Sequence, residues 1–288
     1  MDFPIHRLAA AGFPTGLQEI PQPPAALYYR GQLPTADLTL LSVVGPRKYS
    51  LYGKQVVEEL VSGLRDYPLG IVSGLALGMD SLAHEVALRN HIYTLAIPGG
   101  GINDEVIYPA RHKSLARRIL ESGGGLLSEF EPDFRATKWS FPQRNRLVAG
   151  ISQATLLVEA AEKSGTLITA RMTVDYNRDL MVVPGNIFHN TSRGVHQFLK
   201  LGATPVTCSE DILEVLKIKQ QSPLPVTPIV SLSPAEQQVI KHLSEPTHRD
   251  ELIRRLDLPT NEAAQLLMMM ELAGQIKSEQ NIYRHTLT

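Results

Sequence analysis

Between Leu40 and Thr207 the chain repeats one pattern: a short apolar run, a turn rich in glycine or charge, and a segment of helical length. The runs are Leu40–Val44, Leu69–Val72, Tyr93–Ile97, Leu126–Ser128, Thr155–Val158, Leu180–Val183 and Thr204–Thr207, and Gly53–Arg65, Ser81–Arg89, Lys113–Glu121 and Gly165–Tyr176 have helical length. Strands apolar on both faces that alternate with helices require a parallel sheet covered on both sides. The expected fold class is therefore α/β, a doubly wound Rossmann-like parallel sheet over residues 39–216. Ligands of such sheets sit outside the carboxyl ends of the strands. The turns at those ends are where function is sought.

Residues 1–38 carry Pro4, Pro14, Pro21, Pro23, Pro24 and Pro34 with little periodicity, which predicts an extended lead-in with at most a short strand near Ala26–Tyr29. Residues 217–232 hold three prolines and read as a linker. Beyond it, Ser233-Pro-Ala-Glu236 is a capping box with proline at the first helical position. Two further helical segments, Arg249–Leu256 and Asn261–Ala273, and a hairpin turning near Gln280-Asn281 complete a small C-terminal winged-helix domain over 233–288.

The start has no basic segment followed by an apolar one, and no run reaches about 18 apolar residues, so neither a signal peptide nor a membrane span is expected. The single Cys208 excludes an intramolecular disulfide and a cysteine-based zinc cluster. Cytoplasm is the expected compartment. Net charge is −1, so a nucleic-acid partner would need a local basic patch rather than a global field. From Ser231 onward six Lys/Arg stand against eight Asp/Glu, and the third helix has two acids and no cation. That favours a protein-interaction role for the winged helix over duplex reading.

The strand ends carry anion-friendly residues. Gly45-Pro46-Arg47-Lys48 follows the first run, and its cations suit either a phosphate or a surface salt bridge. Ser73-Gly74 leads through Gly78 to Asp80 and His84, read as a helix cap and a packed histidine rather than a catalytic pair. Pro98-Gly99-Gly100-Gly101, closed later by Tyr108-Pro109, is either an anion cradle or a plain loop. Ser164-Gly165-Thr166 opens a helix in a phosphate-friendly way. Neither a P-loop nor a dinucleotide fingerprint is present. The densest stretch is Lys138-Trp-Ser-Phe141-Pro-Gln-Arg144-Asn145-Arg146, where cations suit phosphates and rings suit bases. A helix is expected from about Phe141. No activated nucleophile accompanies these turns, so binding accounts for them better than catalysis.

Val44-Gly-Pro-Arg47 with Ser50 and Tyr52-Gly53, Ser73-Gly-Leu-Ala-Leu-Gly-Met-Asp80 with Ala83-His84, Phe141-Pro-Gln-Arg-Asn-Arg146, Glu159-Ala with Ser164-Gly-Thr-Leu-Ile-Thr-Ala170, and Pro184-Gly185 stand in an order and spacing that resembles the DprA (Smf) family, the DNA-processing proteins of natural transformation. The resemblance covers about residues 13–216. It implies a protein that binds and protects single-stranded DNA, helps load RecA and forms a homodimer through its Rossmann-like domain, with no cofactor and no membrane. It implies phosphate contacts from Arg47 and Lys138 and a base against Phe141. Arg144 and Asn145 would complete the pocket, Ser73, Gly74, Gly100, Ser164 and Gly165 would line it, and Arg146 would support the loop from inside. The chain departs from the family in lacking the N-terminal helical module of many members, in Pro46, and in its acidic tail.

Three rivals remain. Related N-glycosidases of nucleoside monophosphates use a glutamate after a glycine turn; Thr169 occupies that place here, leaving Glu159 as the only substitute. A nucleotide-sensing module and a duplex-binding regulator are the others.

Overall fold

The computed structural model describes residues 3–219, 233–243, 245–256, 258–272, 275–279 and 281–285. The chain divides into two units, Met1–Gln220 and Gln221–Thr288. The linker expected over 217–232 lies, from residue 220 on, outside the described residues.

In the first unit nine strands form one sheet: β1 (Ile5–Leu8), β2 (Leu27–Gly31), β3 (Thr39–Val44), β4 (Leu69–Ser73), β5 (Tyr93–Ala96), β6 (Gly125–Ser128), β7 (Ala154–Leu157), β8 (Asp179–Val182) and β9 (Thr204–Pro205). The helices are α1 (Thr15–Gln18), α2 (Leu51–Ser62), α3 (Met79–Arg89), α4 (Lys113–Glu121), α5 (Ser140–Ile151), α6 (Thr166–Asp175), α7 (Asn190–Lys200) and α8 (Ser209–Val215). The strand order is β1-β2-β6-β5-β4-β3-β7-β8-β9. Strands β3 to β9 pair in parallel, while β1 and β2 pair antiparallel with each other and β2 pairs antiparallel with β6. From β3 the chain winds outward through β4, β5 and β6, then crosses back by α5 to lay β7 on the other side of β3. The β3/β7 boundary is thus the topological switch point, where the loops of two oppositely wound halves part and leave a crevice.

Each face of the sheet has its own core. Leu41, Val43 and Ile71 pack with Val57 and Leu60 of α2 and Leu82 and Val86 of α3. On the opposite face Leu40, Val44, Val72 and Leu157 pack with Leu147 of α5, Leu167 of α6 and Phe198 of α7. Alternate side chains of one strand therefore serve opposite faces, as double burial of a parallel sheet demands.

The lead-in expected over 1–38 forms the short strand expected near Ala26–Tyr29, which is β2, but it is more than extended chain, since β1 and a buried segment were not expected. Residues Ile5–Leu8 and Leu27–Gly31 are sheet strands, and Phe13, Leu17 and Ile20 between them are buried in the α5 face. The prolines interrupt local periodicity, but they fall outside the strands, where no ladder hydrogen bond is required.

The second unit holds α9 (Pro234–His242), α10 (Arg249–Arg255) and α11 (Thr260–Leu272) with the strands β10 (Thr247–His248), β11 (Ile276–Glu279) and β12 (Ile282–His285), ordered β10-β12-β11. Ser233 caps α9 as a capping box, its hydroxyl accepting from Glu236 N. Val239, Leu252, Ala263, Leu267, Met270 and Tyr283 make its core. The hairpin turns through Asn281, at φ 64°, beside Gln280, which lies outside the described residues.

Under the sheet's carboxyl edge, His84 of α3 is fully buried. Thr94 Oγ1 gives its one proton to Ile71 O, so the 2.7 Å contact from His84 Nδ1 requires the proton on Nδ1. His84 Nε2 is then the bare nitrogen, buried without a partner. Burial above all, opposed by the Ser73 backbone and aided by the charges of His112 and Arg144, pushes the imidazole down to about 3 from its ordinary 6.5. The unfolded chain takes up this proton below pH 6.5 while the fold refuses it until about pH 3. Stability is therefore full above pH 6.5 and falls through that window by up to about 1.4 kcal/mol per pH unit. Denaturant titrations from pH 7 to pH 4 should show this slope, and His84→Gln should lack it.

Candidate nucleic-acid interface

A cleft of about 660 Å³ opens at the switch point. The turns after β3 and β4 form one wall, and the starts of α5 and α6 form the other. Arg47 is held in the first turn by two bonds to its neighbours: Met79 N donates to Pro46 O at 3.1 Å, and Thr166 Oγ1 donates to Gly45 O at 3.0 Å. Gly78, at φ 85°, lies against the Pro46–Arg47 backbone, where a Cβ would collide with the Arg47 carbonyl. The side chain of Arg47 is exposed and has no ion pair among the described residues. Its guanidinium carbon stands 5.5 Å from the Phe141 ring centroid, a cation–π contact that leaves the charge in solvent.

Lys138 and Phe141 come from the start of α5. Ser140 ties that start to the loop after β5, its Oγ reaching Gly99 O at 2.5 Å while accepting from Thr137 N at 2.9 Å. Gly99 carries no side chain because the Phe141 ring occupies that space. Lys138 is exposed, again without an ion pair among the described residues. Beside it Trp139, the only tryptophan, is 54% exposed and packs on Phe130 and Phe134. From the α6 side Ser164, Gly165 and Thr166 face the cleft; Ser164 Oγ accepts from Thr166 N at 3.2 Å, and Gly165 has open space where a Cβ would sit.

Of the ten residues singled out from the sequence, Arg47, Gly74, Lys138, Phe141, Arg144, Asn145, Ser164 and Gly165 line this cleft. Ser73 and Gly100 do not. Ser73 is fully buried, its hydroxyl donating to Val43 O at 2.7 Å, and Gly100 packs beneath the loop of Phe134 and Ala136. Sequence order cannot tell the last residue inside a strand from the first residue outside it. Arg144 borders the cleft but is 4% exposed, its Nη1 donating to Gly74 O and Ile97 O. It binds the ends of β4 and β5 together from within rather than offering a free cation. Burial lowers its pKa and the neighbouring Asp80 charge opposes that, while Asp80 itself is raised by burial. Asp80 is not the helix cap expected from the sequence. Gly78 holds that position, and Asp80 Oδ2 accepts from Gly74 N (3.1 Å) and Ala76 N (3.4 Å), fixing the preceding turn. Arg146 supports the loop from inside by bonds to Glu129 and Gln22 O.

Glu159 is not part of the cleft lining. Ser50 N and Oγ donate to its two carboxylate oxygens at 3.0 and 2.7 Å, so it anchors the start of α2. Tyr108, Leu77, Thr166 and Ile168 also line the cleft and were not singled out as site residues from the sequence. Thr166 was legible as part of Ser-Gly-Thr. Tyr108 lies in a loop more than thirty residues from Phe141, and no local signal joins the two.

Fold and site define a Rossmann-like protein with a cationic, ring-lined cleft at its switch point and a separate winged-helix unit. Residues 5–217 match the family model for DNA recombination-mediator protein A, and residues 223–280 match the DprA winged helix domain. The chain belongs to the DNA recombination-mediator protein A (DprA/Smf) family. It is 36% identical to Protein Smf of Escherichia coli, over 96% of this chain and 76% of that protein. It is 36% identical to DNA processing protein DprA of Streptococcus pneumoniae over 73% of each. The crystal structure of the pneumococcal protein superposes with a TM-score of 0.67 over 74% of each chain. A structure that addresses the single-stranded DNA binding mode of DNA processing protein A from Helicobacter pylori superposes with a TM-score of 0.66, at 29% identity, over 75% of this chain and 96% of that one. Among the described residues no helix is long and apolar enough to cross a membrane.

Proposed function

We propose that this chain binds single-stranded DNA in the switch-point cleft, protects it, and helps load RecA onto it in the cytoplasm, acting as a homodimer through the Rossmann-like unit and without a cofactor. The observation that carries the reading is the pair of exposed cations, Arg47 and Lys138, without an ion pair among the described residues and beside the Phe141 ring in one cleft. Cations at this spacing track a backbone, and a ring accepts any base by its face, so recognition is sequence-tolerant. Family membership and the Helicobacter relative's single-strand binding support the same reading. Binding is favoured over glycosidic cleavage because the one glutamate that would substitute, Glu159, is engaged by Ser50.

The test is fluorescence anisotropy of a labelled single strand of about 20 nucleotides across a salt series. Binding should weaken steadily as salt rises. Phe141→Ala should lose about 5- to 150-fold, the worth of one stacked base. Binding no tighter than that of a neutral control protein refutes the reading.

A further inference from the structure

We infer that Tyr108 is a second base-binding residue, so that the cleft holds two neighbouring nucleotides, one base on Phe141 and the other on Tyr108. The inference rests on the single-strand reading above and adds the residue that sets its footprint.

Tyr108 is 50% exposed, although the loop that carries it is firmly seated. Ile107 beside it is buried in the α4 core. His112 is buried too, its Nδ1 bonding Leu75 O at 2.7 Å, and His112 N donates to Pro109 O at 2.8 Å. A loop fixed on both sides of an aromatic residue displays that ring; it does not leave it exposed through slackness. The Tyr108 hydroxyl has no partner among the described residues. Its ring centroid stands 5.7 Å from that of Phe141, with the planes tilted by 53°. A base held between two parallel rings needs about 7 Å, twice the contact distance of about 3.5 Å. The two rings therefore form a corner rather than a slot, and one base cannot lie flat on both. Gly99 lies against the Phe141 ring and the exposed Arg47 guanidinium stands 5.5 Å over it, so no more than one base reaches Phe141, and it does so by displacing that side chain. A strand that continues along the cleft brings its next base to Tyr108.

The test measures anisotropy with a labelled thymidine strand of about six nucleotides and an abasic strand of equal length, for wild type, Tyr108→Ala and Tyr108→Phe. On the thymidine strand Tyr108→Ala should lose about 5- to 150-fold, and Tyr108→Phe should stay within about twofold of wild type. On the abasic strand all three should bind alike, because only phosphate contacts remain. Unchanged unfolding midpoints show that the loop is intact. The inference is overturned if Tyr108→Ala matches wild type on thymidine, if it loses as much on the abasic strand, or if Tyr108→Phe is as weak as Tyr108→Ala. If wild type binds the thymidine strand no better than a neutral protein, the single-strand reading itself falls.

Discussion

Replacing Arg47 and Lys138 together with alanine should weaken single-strand binding about a hundredfold or more at low salt, with the fold unchanged. A charged donor to a phosphate contributes about 1.5–3 kcal/mol, and two such contacts multiply in the dissociation constant. The salt dependence distinguishes this from loss of shape. Each phosphate contact on a single strand adds about 0.7 to the slope of log K against log salt, so the double variant should flatten that slope by about 1.4. Both side chains are exposed and unpaired among the described residues. Unfolding should therefore shift by no more than about 0.5 kcal/mol. A double variant that binds as tightly as wild type, or whose slope is unaltered, removes these two residues from the interface.

Arg144→Met should behave in the opposite way, with a large loss of stability and a loss of binding that follows from it. The Arg144 guanidinium is buried and gives its protons to Gly74 O and Ile97 O at the ends of two adjacent strands. Methionine matches much of the volume but leaves both carbonyls unpaired and Asp80 without the positive charge beside it. Removing one partner of such a buried charged set costs about 3–5 kcal/mol. For a unit of this size that is a fall of about 6–20 °C in the unfolding midpoint. The same signature appears from the other side, because a Cβ on Gly74 would collide with the guanidinium and with Asp80. An Arg144→Met protein that melts like wild type yet fails to bind would return Arg144 to the role of a direct DNA contact.

Phe141 and Arg144, three residues apart in the stretch that begins at Lys138, illustrate the limits of a linear reading. The motif announces cations and rings in one stretch, and both Lys138 and Phe141 do reach the cleft. Arg144 turns inward instead, its guanidinium reaching Gly74 O and Ile97 O at the ends of β4 and β5, while Phe141 stays half-buried at the cleft. The first strand escaped notice for a different reason. It is a short edge element of mixed exposure, and its partner β2 is itself held by β6, about a hundred residues further along the chain.

The apolar runs by themselves determined the parallel sheet, its helices and the edge at which a ligand would sit, because burying both faces of a strand leaves a mark on every residue in it. The capping box and the spacing of the last helices did the same for the winged helix. Which strand-end side chains meet was decided only by the tertiary structure. The crossover through α5 brings the turns after β3, β4, β5 and β7 to one crevice, and it is this convergence that sets Tyr108 beside Phe141, buries Ser73 and Gly100, and turns Glu159 toward Ser50. Distance along the chain holds no record of such meetings, since they depend on how the two oppositely wound halves pack.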